Sequence, residues 1–244
     1  MKSLIYFLLK NKGRNNHGHI TVRHKGGGNK KLYRSINYSY CNLKVTKRII
    51  AFEYNPYRAT KIALLKNSIN RYEYITAEKF ANISSIIEVG PNFKSSIGFS
   101  KPLWNISLGA SIFNLEILPK KGAQIARSSG TSCNLVGFHK SFAIVRFPSK
   151  ELKLIKKTCF ATLGIVKNSL NYLKKYKKAG QVRWKGIRPS VRGVAMNPID
   201  HPHGGGEGKC PVGHPSSMSP WGKPTRGVKT RRLPNKFTVS KKKK

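Results

Sequence analysis

Acidic side chains are almost missing from this chain, which has 8 Asp and Glu among its 244 residues. Its 48 Lys and Arg leave a formal net charge of +40 at pH 7. Self-repulsion of this size opposes a compact state in free solution, so the charge indicates a polyanionic partner, of which a phosphate backbone is the commonest. The composition therefore disfavours a free-standing metabolic enzyme.

Cysteine is also scarce, and its spacing excludes two common uses of that residue. The four cysteines, Cys41, Cys133, Cys159 and Cys210, form no CxxC or CxxH pair. Zinc fingers and disulfide frameworks depend on regular spacing, whereas scattered thiols are typical of a reducing compartment. We therefore expect free cysteines that pack as small hydrophobic side chains.

Long apolar runs are missing as well. The apolar run at residues 4–9 is far shorter than the roughly 20 residues that span a bilayer. It is also short for the apolar part of a signal peptide, and no small-residue cleavage site follows it. The sequence thus predicts neither a membrane span nor a targeting peptide.

The apolar residues that are present suffice for one or two small cores, because 39% of the chain is hydrophobic and 10% is aromatic. Short β-rich runs separated by turn residues are typical of small barrels or sandwiches. Residues 142–147 and 151–154 are predicted to pair as a hairpin, and residues 169–178 are predicted to form a short helix. The other predicted strands are residues 47–54, 61–65, 71–75, 112–118 and 134–138, with a boundary near 90–92.

Both ends of the chain differ from this β-rich middle. Residues 1–34 are basic, polar and Gly-rich, with one short strand predicted at 20–22. From residue 180 onward Gly, Pro, Arg and Lys dominate, and no periodic pattern would bury a core. Arms of this kind are ordered by a partner, and their charge favours RNA or DNA.

The most unusual segment is residues 193–208, which contains the single aspartate, Asp200, beside His201 and His203. These three side chains are a possible ligand set for zinc, iron or nickel. Asp200 and His201 alone are a possible acid/base pair. The third alternative, which the composition favours, is a rigid loop in which prolines fix the backbone and glycines let it approach an RNA surface.

Several blocks in the same order resemble the universal large-subunit ribosomal proteins of the L-two family. The run 196–208 resembles the family signature, and the resemblance extends over roughly residues 13–236. The other matching blocks are residues 23–28, 54–58, 124–131, 183–189 and 220–225.

The resemblance implies a mostly β fold, in which an OB-fold barrel is followed by an SH3-like barrel and both are flanked by extended basic arms. The expected boundaries are 1–34 for the N-terminal arm, 35–98 for the OB-fold barrel, 99–170 for the SH3-like barrel and 171–244 for a short helix with the C-terminal arm. It also implies a protein that binds large-subunit rRNA, supports subunit association and takes part in translation.

The family motifs assign roles to individual residues. Two family arginines implicated in RNA binding correspond to Arg58 and Arg127, and the run with Asp200, His201 and His203 corresponds to the part that reaches toward the peptidyl transferase region. The RNA supplies the catalytic centre there, so His201 is expected to organise RNA, with direct proton transfer as the minority alternative. The other residues expected to bind RNA are Arg23, Lys185, Arg188, Arg192 and Trp221.

The chain departs from the family pattern at several turn positions. Asn29 replaces a usual histidine, Asn55 a usual aspartate and Lys150 a usual hairpin glycine, while Lys121 and Ala123 replace glycines. This drift, together with many residues that have A/T-rich codons, favours a mitochondrial ribosome over a plastid or bacterial one.

Three functions compete at this point. The leading one is a structural constituent of the large ribosomal subunit, which is not an enzyme and needs no cofactor or metal. Its expected partners are large-subunit rRNA, neighbouring ribosomal proteins and the small subunit. The alternatives are a metal-dependent enzyme built on residues 200–203 and an RNA chaperone outside the ribosome.

Overall fold

A computed structural model describes residues 4–39, 46–91, 93, 96–208, 210–228, 230–231, 233 and 235–240. Cys41 and the four final lysines lie outside the described residues. The chain divides into two compact units. The first contains Met1–Leu9, Lys30–Lys175 and Asn235–Lys244, and the second contains Lys10–Asn29 and Tyr176–Pro234.

The first half of unit 1 is a curled antiparallel sheet in the order β5-β4-β3-β6, with a separate pair formed by β1 and β2. The strands are β1 (Ile5–Phe7), β2 (Leu32–Arg34), β3 (Lys47–Tyr54), β4 (Lys61–Asn67), β5 (Tyr72–Thr76) and β6 (Ile86–Ile87). The run 62–65 in β4 is apolar without alternation because both faces of that strand are covered. Ile49 and Leu65 pack on one face, and Ile62 and Tyr74 pack on the other.

The second half of unit 1 is a seven-stranded antiparallel sheet in the order β15-β13-β12-β11-β8-β14-β7, beside the short pair β9 and β10. The strands are β7 (Ser100–Pro102), β8 (Ser111–Phe113), β9 (Leu115–Glu116), β10 (Ala123–Ile125), β11 (Cys133–His139), β12 (Phe142–Arg146), β13 (Leu152–Lys156), β14 (Phe160–Leu163) and β15 (Thr238–Ser240). Leu103, Leu135 and Val145 lie at the centre of its core. The protein is thus mostly β, with an OB-fold barrel followed by an SH3-like barrel.

Helical structure is sparse, and one predicted helix is shorter than expected. The described helical segments are the 3-10 turns Leu103–Asn105, Ser169–Leu173 and Gly193–Ala195, and the helix α1 (Ala179–Trp184). The predicted helix at 169–178 therefore stops at Leu173. Lysines at 174, 175, 177 and 178 would repel one another at helical i, i+3 and i, i+4 spacing, so the backbone becomes extended there. The strand predicted at 20–22 is absent, and Ile20 makes only an isolated bridge to Arg14.

Two buried thiols behave as the sequence predicts. Cys133 and Cys159 are free, buried and part of the SH3-like core. Burial raises the pKa of each thiol to about 12, which keeps it protonated. Beside Cys159, the fully buried carboxylate of Glu116 accepts hydrogen bonds from the Gly122 and Phe160 N–H groups at 2.9 and 3.0 Å.

No described helix is long and apolar enough to cross a membrane.

The predicted hairpin is confirmed as β12 and β13, which pair from Phe142–Lys156 to Arg146–Leu152. Its turn is closed by the Lys150 N–H, which donates to the Phe147 carbonyl at 2.8 Å. Lys150 has φ 67°, the left-handed conformation that favours glycine. The family glycine that Lys150 replaces thus corresponds to a real conformational demand.

Replacing Lys150 with glycine is expected to stabilise the protein by about 0.5–1 kcal/mol, because the left-handed strain is removed at some cost in unfolded-state entropy. The midpoint of urea unfolding would measure the gain. Lys156→Gly is the matched control: the same change at an exposed position in β13 should destabilise. A lower midpoint for Lys150→Gly would contradict the prediction.

Candidate nucleic-acid interface

Arg58 lies in a turn whose backbone is fixed by Asn55. The buried Asn55 side chain accepts hydrogen bonds from the Tyr57 N–H at 2.9 Å and the Arg58 N–H at 3.3 Å through its Oδ1 atom. A carbonyl oxygen performs this task without the charge of the family aspartate, so the turn survives the substitution. Arg58 is therefore a half-buried residue of a preorganised turn directly after β3.

Arg127 is held in the SH3-like barrel by an aromatic ring and a carbonyl. Its guanidinium lies 4.6 Å from the centre of the Tyr38 ring, and Nη1 donates to the Ala123 carbonyl at 3.3 Å. The buried Nε atom has no hydrogen-bond partner among the described residues. A half-buried, oriented guanidinium with spare donors is suited to an anionic oxygen.

Unit 2 combines a strong positive charge with almost no core. Its residues 10–29 and 176–234 contain 17 Lys and Arg against two acids, Asp200 and Glu207. Among its described residues His201 is the only buried one, while Trp184 and Trp221 are 56% and 75% exposed. Within residues 10–29 and 180–233 the described residues form no core, as the sequence predicts, whereas β1, β2 and β15, which lie in the predicted arms, join the sheets of unit 1.

Backbone hydrogen bonds replace side-chain packing where the two segments of unit 2 meet. The Gly26 N–H donates to the Gly186 carbonyl at 2.8 Å, and the Asn29 N–H donates to the Trp184 carbonyl at 2.9 Å. Gly28 has φ +61°, and a Cβ there would lie 2.6 Å from the Gly186 nitrogen. Only glycine permits this approach, so two blocks about 160 residues apart form one surface.

This junction brings three of the expected RNA-binding residues together. The Arg188 N–H donates to the His24 carbonyl at 3.0 Å, which places Arg188 beside Arg23, and Lys185 lies on the same paired segment. All three side chains are exposed. The other two expected residues of unit 2, Arg192 and Trp221, are also exposed but lie in separate turns.

The unusual segment 193–208 is a tight loop around the His201 ring. His201 Nδ1 accepts the His203 N–H at 3.0 Å, and His203 Nε2 accepts the Met218 N–H at 2.8 Å. A Cβ at Gly193 would lie 2.5 Å from His201 Nδ1, which explains the glycine there. Each accepting nitrogen must offer a lone pair, so these hydrogen bonds fix the tautomer of both rings.

This geometry bears on the two chemical alternatives for the segment. The ring nitrogens that accept backbone N–H groups have no lone pair left for a metal, and Asp200 is exposed. Among the described residues no group of three or more His, Cys, Asp or Glu side chains is placed to hold a metal ion. A backbone N–H, and not Asp200, orients the His201 ring at Nδ1, so the rigid-loop interpretation fits the geometry best.

Acidification is expected to loosen this loop. Desolvation and the neighbouring His201 and His214 lower the pKa of His203 from its ordinary value of 6.5. As the pH falls through 6.5 toward that lowered pKa, the unfolded chain binds more protons than the folded loop. The contribution of His203 to the free energy of unfolding is therefore fully present above pH 6.5 and decreases below it. Protonation of Nε2 also removes the acceptor for Met218.

The measurement is an NMR titration of the His203 ring together with hydrogen exchange at the Met218 amide. The ring should titrate below 6.5, and exchange should accelerate beyond its intrinsic pH dependence as the ring gains its proton. His203→Gln supplies a non-titrating acceptor and should abolish the extra acceleration. A midpoint at or above 6.5 would contradict the prediction.

Two protein-family models match this chain. The model described as the RNA-binding N-terminal domain of ribosomal proteins L2 matches residues 1–88, which include Arg58. The model described as the C-terminal domain of ribosomal proteins L2 matches residues 96–222, which include Arg127 and the loop 193–208. Together the two matches extend over most of the chain.

Proposed function

Because the chain belongs to the ribosomal protein L2 family, we propose that it contacts large-subunit rRNA through Arg58, Arg127 and five exposed residues of unit 2. Membership identifies the protein as a structural, RNA-binding constituent of the large ribosomal subunit. The proposed contacts comprise the oriented arginines of unit 1 together with Arg23, Lys185, Arg188, Arg192 and Trp221 of unit 2.

The observation that carries this proposal is the charge imbalance of unit 2, which contains 17 basic and two acidic residues. Among its described residues a single side chain is buried. A unit without a core gains little from the hydrophobic effect, and its self-repulsion opposes folding. Neutralisation by phosphates removes that repulsion and releases counterions. Exposed tryptophans on the same unit supply apolar area for the same partner.

We propose further that the loop 193–208 organises RNA near the peptidyl transferase region. Asp200 and His203 would face the RNA from a loop that the His201 ring holds in shape. The support is geometric: His201 is buried and its Nδ1 is occupied by a backbone donor. His201 is thus a positioning residue in this proposal, and proton transfer by its ring has no role.

Family membership and composition together support a finer cellular role. We propose that the protein supports subunit association through a contact with the small subunit and with neighbouring ribosomal proteins. We place it in the mitochondrial ribosome, since its turn glycines and acids have drifted from the bacterial pattern, whereas a plastid or bacterial ribosome is the alternative. We propose that its domain boundaries are 1–34 for the N-terminal arm, 35–98 for the OB-fold barrel, 99–170 for the SH3-like barrel and 171–244 for the short helix and C-terminal arm.

Gradient sedimentation of the tagged protein in a mitochondrial lysate tests this function. The protein should sediment with the large subunit and with whole ribosomes. Arg58→Ala combined with Arg127→Ala should move it toward the light fractions, while Arg146→Ala, an exposed arginine at the end of β12, should not. A wild-type protein that stays in the light fractions would contradict the proposal.

A further inference from the structure

Three tyrosines form a half-exposed cluster beside the OB-fold barrel. Tyr6 and Tyr33 are direct cross-strand partners in β1 and β2, with ring centroids 5.2 Å apart. Tyr33 then meets Tyr57 at 5.4 Å with an interplanar angle of 71°. Tyr6 is 45% exposed and Tyr57 is 39% exposed, so the cluster has aromatic surface open to solvent at both ends.

Apolar side chains other than the exposed tyrosine surface already anchor the β1 and β2 pair on the barrel. Ile5 in β1, Leu4 just before that strand, and Ile36 already pack against the buried cluster of Ile62, Leu64 and Tyr74. Because successive side chains of a strand point to opposite faces, Ile5 faces the barrel and Tyr6 faces away from it. The exposed parts of the Tyr6 and Tyr57 rings therefore lie outside the packing on the barrel.

The surroundings of the cluster are positively charged. Tyr57 directly precedes Arg58, and its hydroxyl donates to the Lys31 carbonyl at 3.4 Å, which places the cluster beside Lys30 and Lys31. The nearby carboxylate of Glu53 is paired, because it accepts from Arg34 Nε at 3.4 Å and from the Tyr74 hydroxyl at 2.8 Å. Anionic, aromatic ligands match this combination of open rings and basic side chains, which form no ion pair within the described part of the chain.

We propose that the tyrosine cluster of Tyr6, Tyr33 and Tyr57 binds unpaired nucleobases of the rRNA by stacking, while Arg58 and Lys31 hold the adjoining phosphates. The inference rests on the proposed function, since it takes RNA as the partner. Bases within a duplex stack on each other, whereas unpaired bases expose a face to an aromatic ring. The site thus selects single-stranded RNA without reading its sequence.

The experiment compares two probes on the full chain: a single-stranded adenosine hexanucleotide that contains one 2-aminopurine, and a 12-base-pair RNA duplex. Wild-type protein should bind both and should quench the 2-aminopurine fluorescence on stacking. The double variant Tyr6→Leu, Tyr57→Leu should lose the quench and bind the single strand about tenfold more weakly. Its affinity for the duplex should change less than twofold.

Three further measurements make the outcome decisive. Tyr6→Phe combined with Tyr57→Phe keeps both rings and should retain the quench, which assigns the quench to the rings, while the retained duplex affinity of the leucine variant argues against simple unfolding. Tyr172→Leu removes a more exposed tyrosine from the 3-10 turn at 169–173 and should change nothing. A quench that persists in the leucine variant, or equal weakening on both probes, would overturn the inference.

The proposed function and this inference fail differently. If the wild-type protein binds the duplex and rRNA but does not quench the single strand, only the tyrosine site is wrong. If it binds neither probe nor rRNA, the proposed function itself is wrong.

Discussion

Raising monovalent salt from about 50 to 200 mM is expected to weaken rRNA binding by roughly a thousandfold or more, as for proteins that neutralise six to ten phosphates. The exposed basic residues of unit 2, with Arg58 and Arg127 in unit 1, supply at least that many charges. Each neutralised phosphate releases about 0.7–0.9 of a counterion, so the logarithm of affinity should fall linearly with the logarithm of salt concentration.

A salt series with the full chain and a large-subunit rRNA fragment measures this slope. The triple variant Arg23→Gln, Lys185→Gln, Arg188→Gln should lower the slope by about two to three, because each lost phosphate contact removes about one. An equal change at exposed Lys120, Lys140 and Lys175 is the matched control and should lower it less. A nearly flat wild-type dependence would refute the assignment of phosphate as the partner.

Arg127→Lys is expected to weaken rRNA binding at least tenfold although it keeps the charge. The guanidinium is oriented by the Tyr38 ring and by the Ala123 carbonyl, and its planar fork can meet phosphate oxygens with two donors. A lysine retains neither the fork nor the alignment. Hydrogen bonds to charged groups contribute about 1.5–3 kcal/mol, which corresponds to tenfold or more.

Arg146→Lys makes the same change at an exposed position of the same barrel and should alter affinity less than twofold. Thermal unfolding of both variants would show whether the fold is intact. Lys241→Ala, which removes a whole charge near the end of the chain, provides a second comparison. If Arg127→Lys weakens binding no more than these controls, Arg127 is only one charge among many.

Most of the longer strands were predictable because their signal is local, whereas the short strands β1, β2, β6, β7, β10, β14 and β15 were not predicted. The run 47–54 is confirmed as β3, and the hairpin of β12 and β13 is confirmed with its expected turn. Alternation of apolar and polar residues, with turn residues between the runs, depends on neighbouring positions alone. Exact ends moved by one or two residues, as at β4, which continues to Asn67. The strand predicted at 112–118 is divided at Asn114, whose φ is 49°, into β8 and β9, which belong to different sheets.

Other features have no local signal. The junction of residues 26–28 with 184–188 is made of backbone groups, so the glycines show that space is needed but not what fills it. Glu116 lies in a β-rich run with nothing to mark it as fully buried, because its partners are the N–H groups of Gly122 and Phe160. The sequence left three alternatives for the loop around His201, since the donors that fix the imidazole tautomers belong to His203 and Met218 main chain.

The strand pair β13 and β15 sets an order of events during synthesis. Residues 176–234 are inserted between two segments of unit 1, and the pairing of Lys153 with Thr238 brings those two segments together. The pair β1 and β2 brings together the segments on either side of residues 10–29 in the same way, but these strands are synthesised early. Because a chain grows from its N-terminus and distant strand pairs form slowly, the edge of β13 stays open until residue 240 has left the synthesising ribosome. For that interval the edge is a template for wrong partners, so a chaperone that shields unpaired strand edges should bind nascent chains released before residue 238 and not the finished protein.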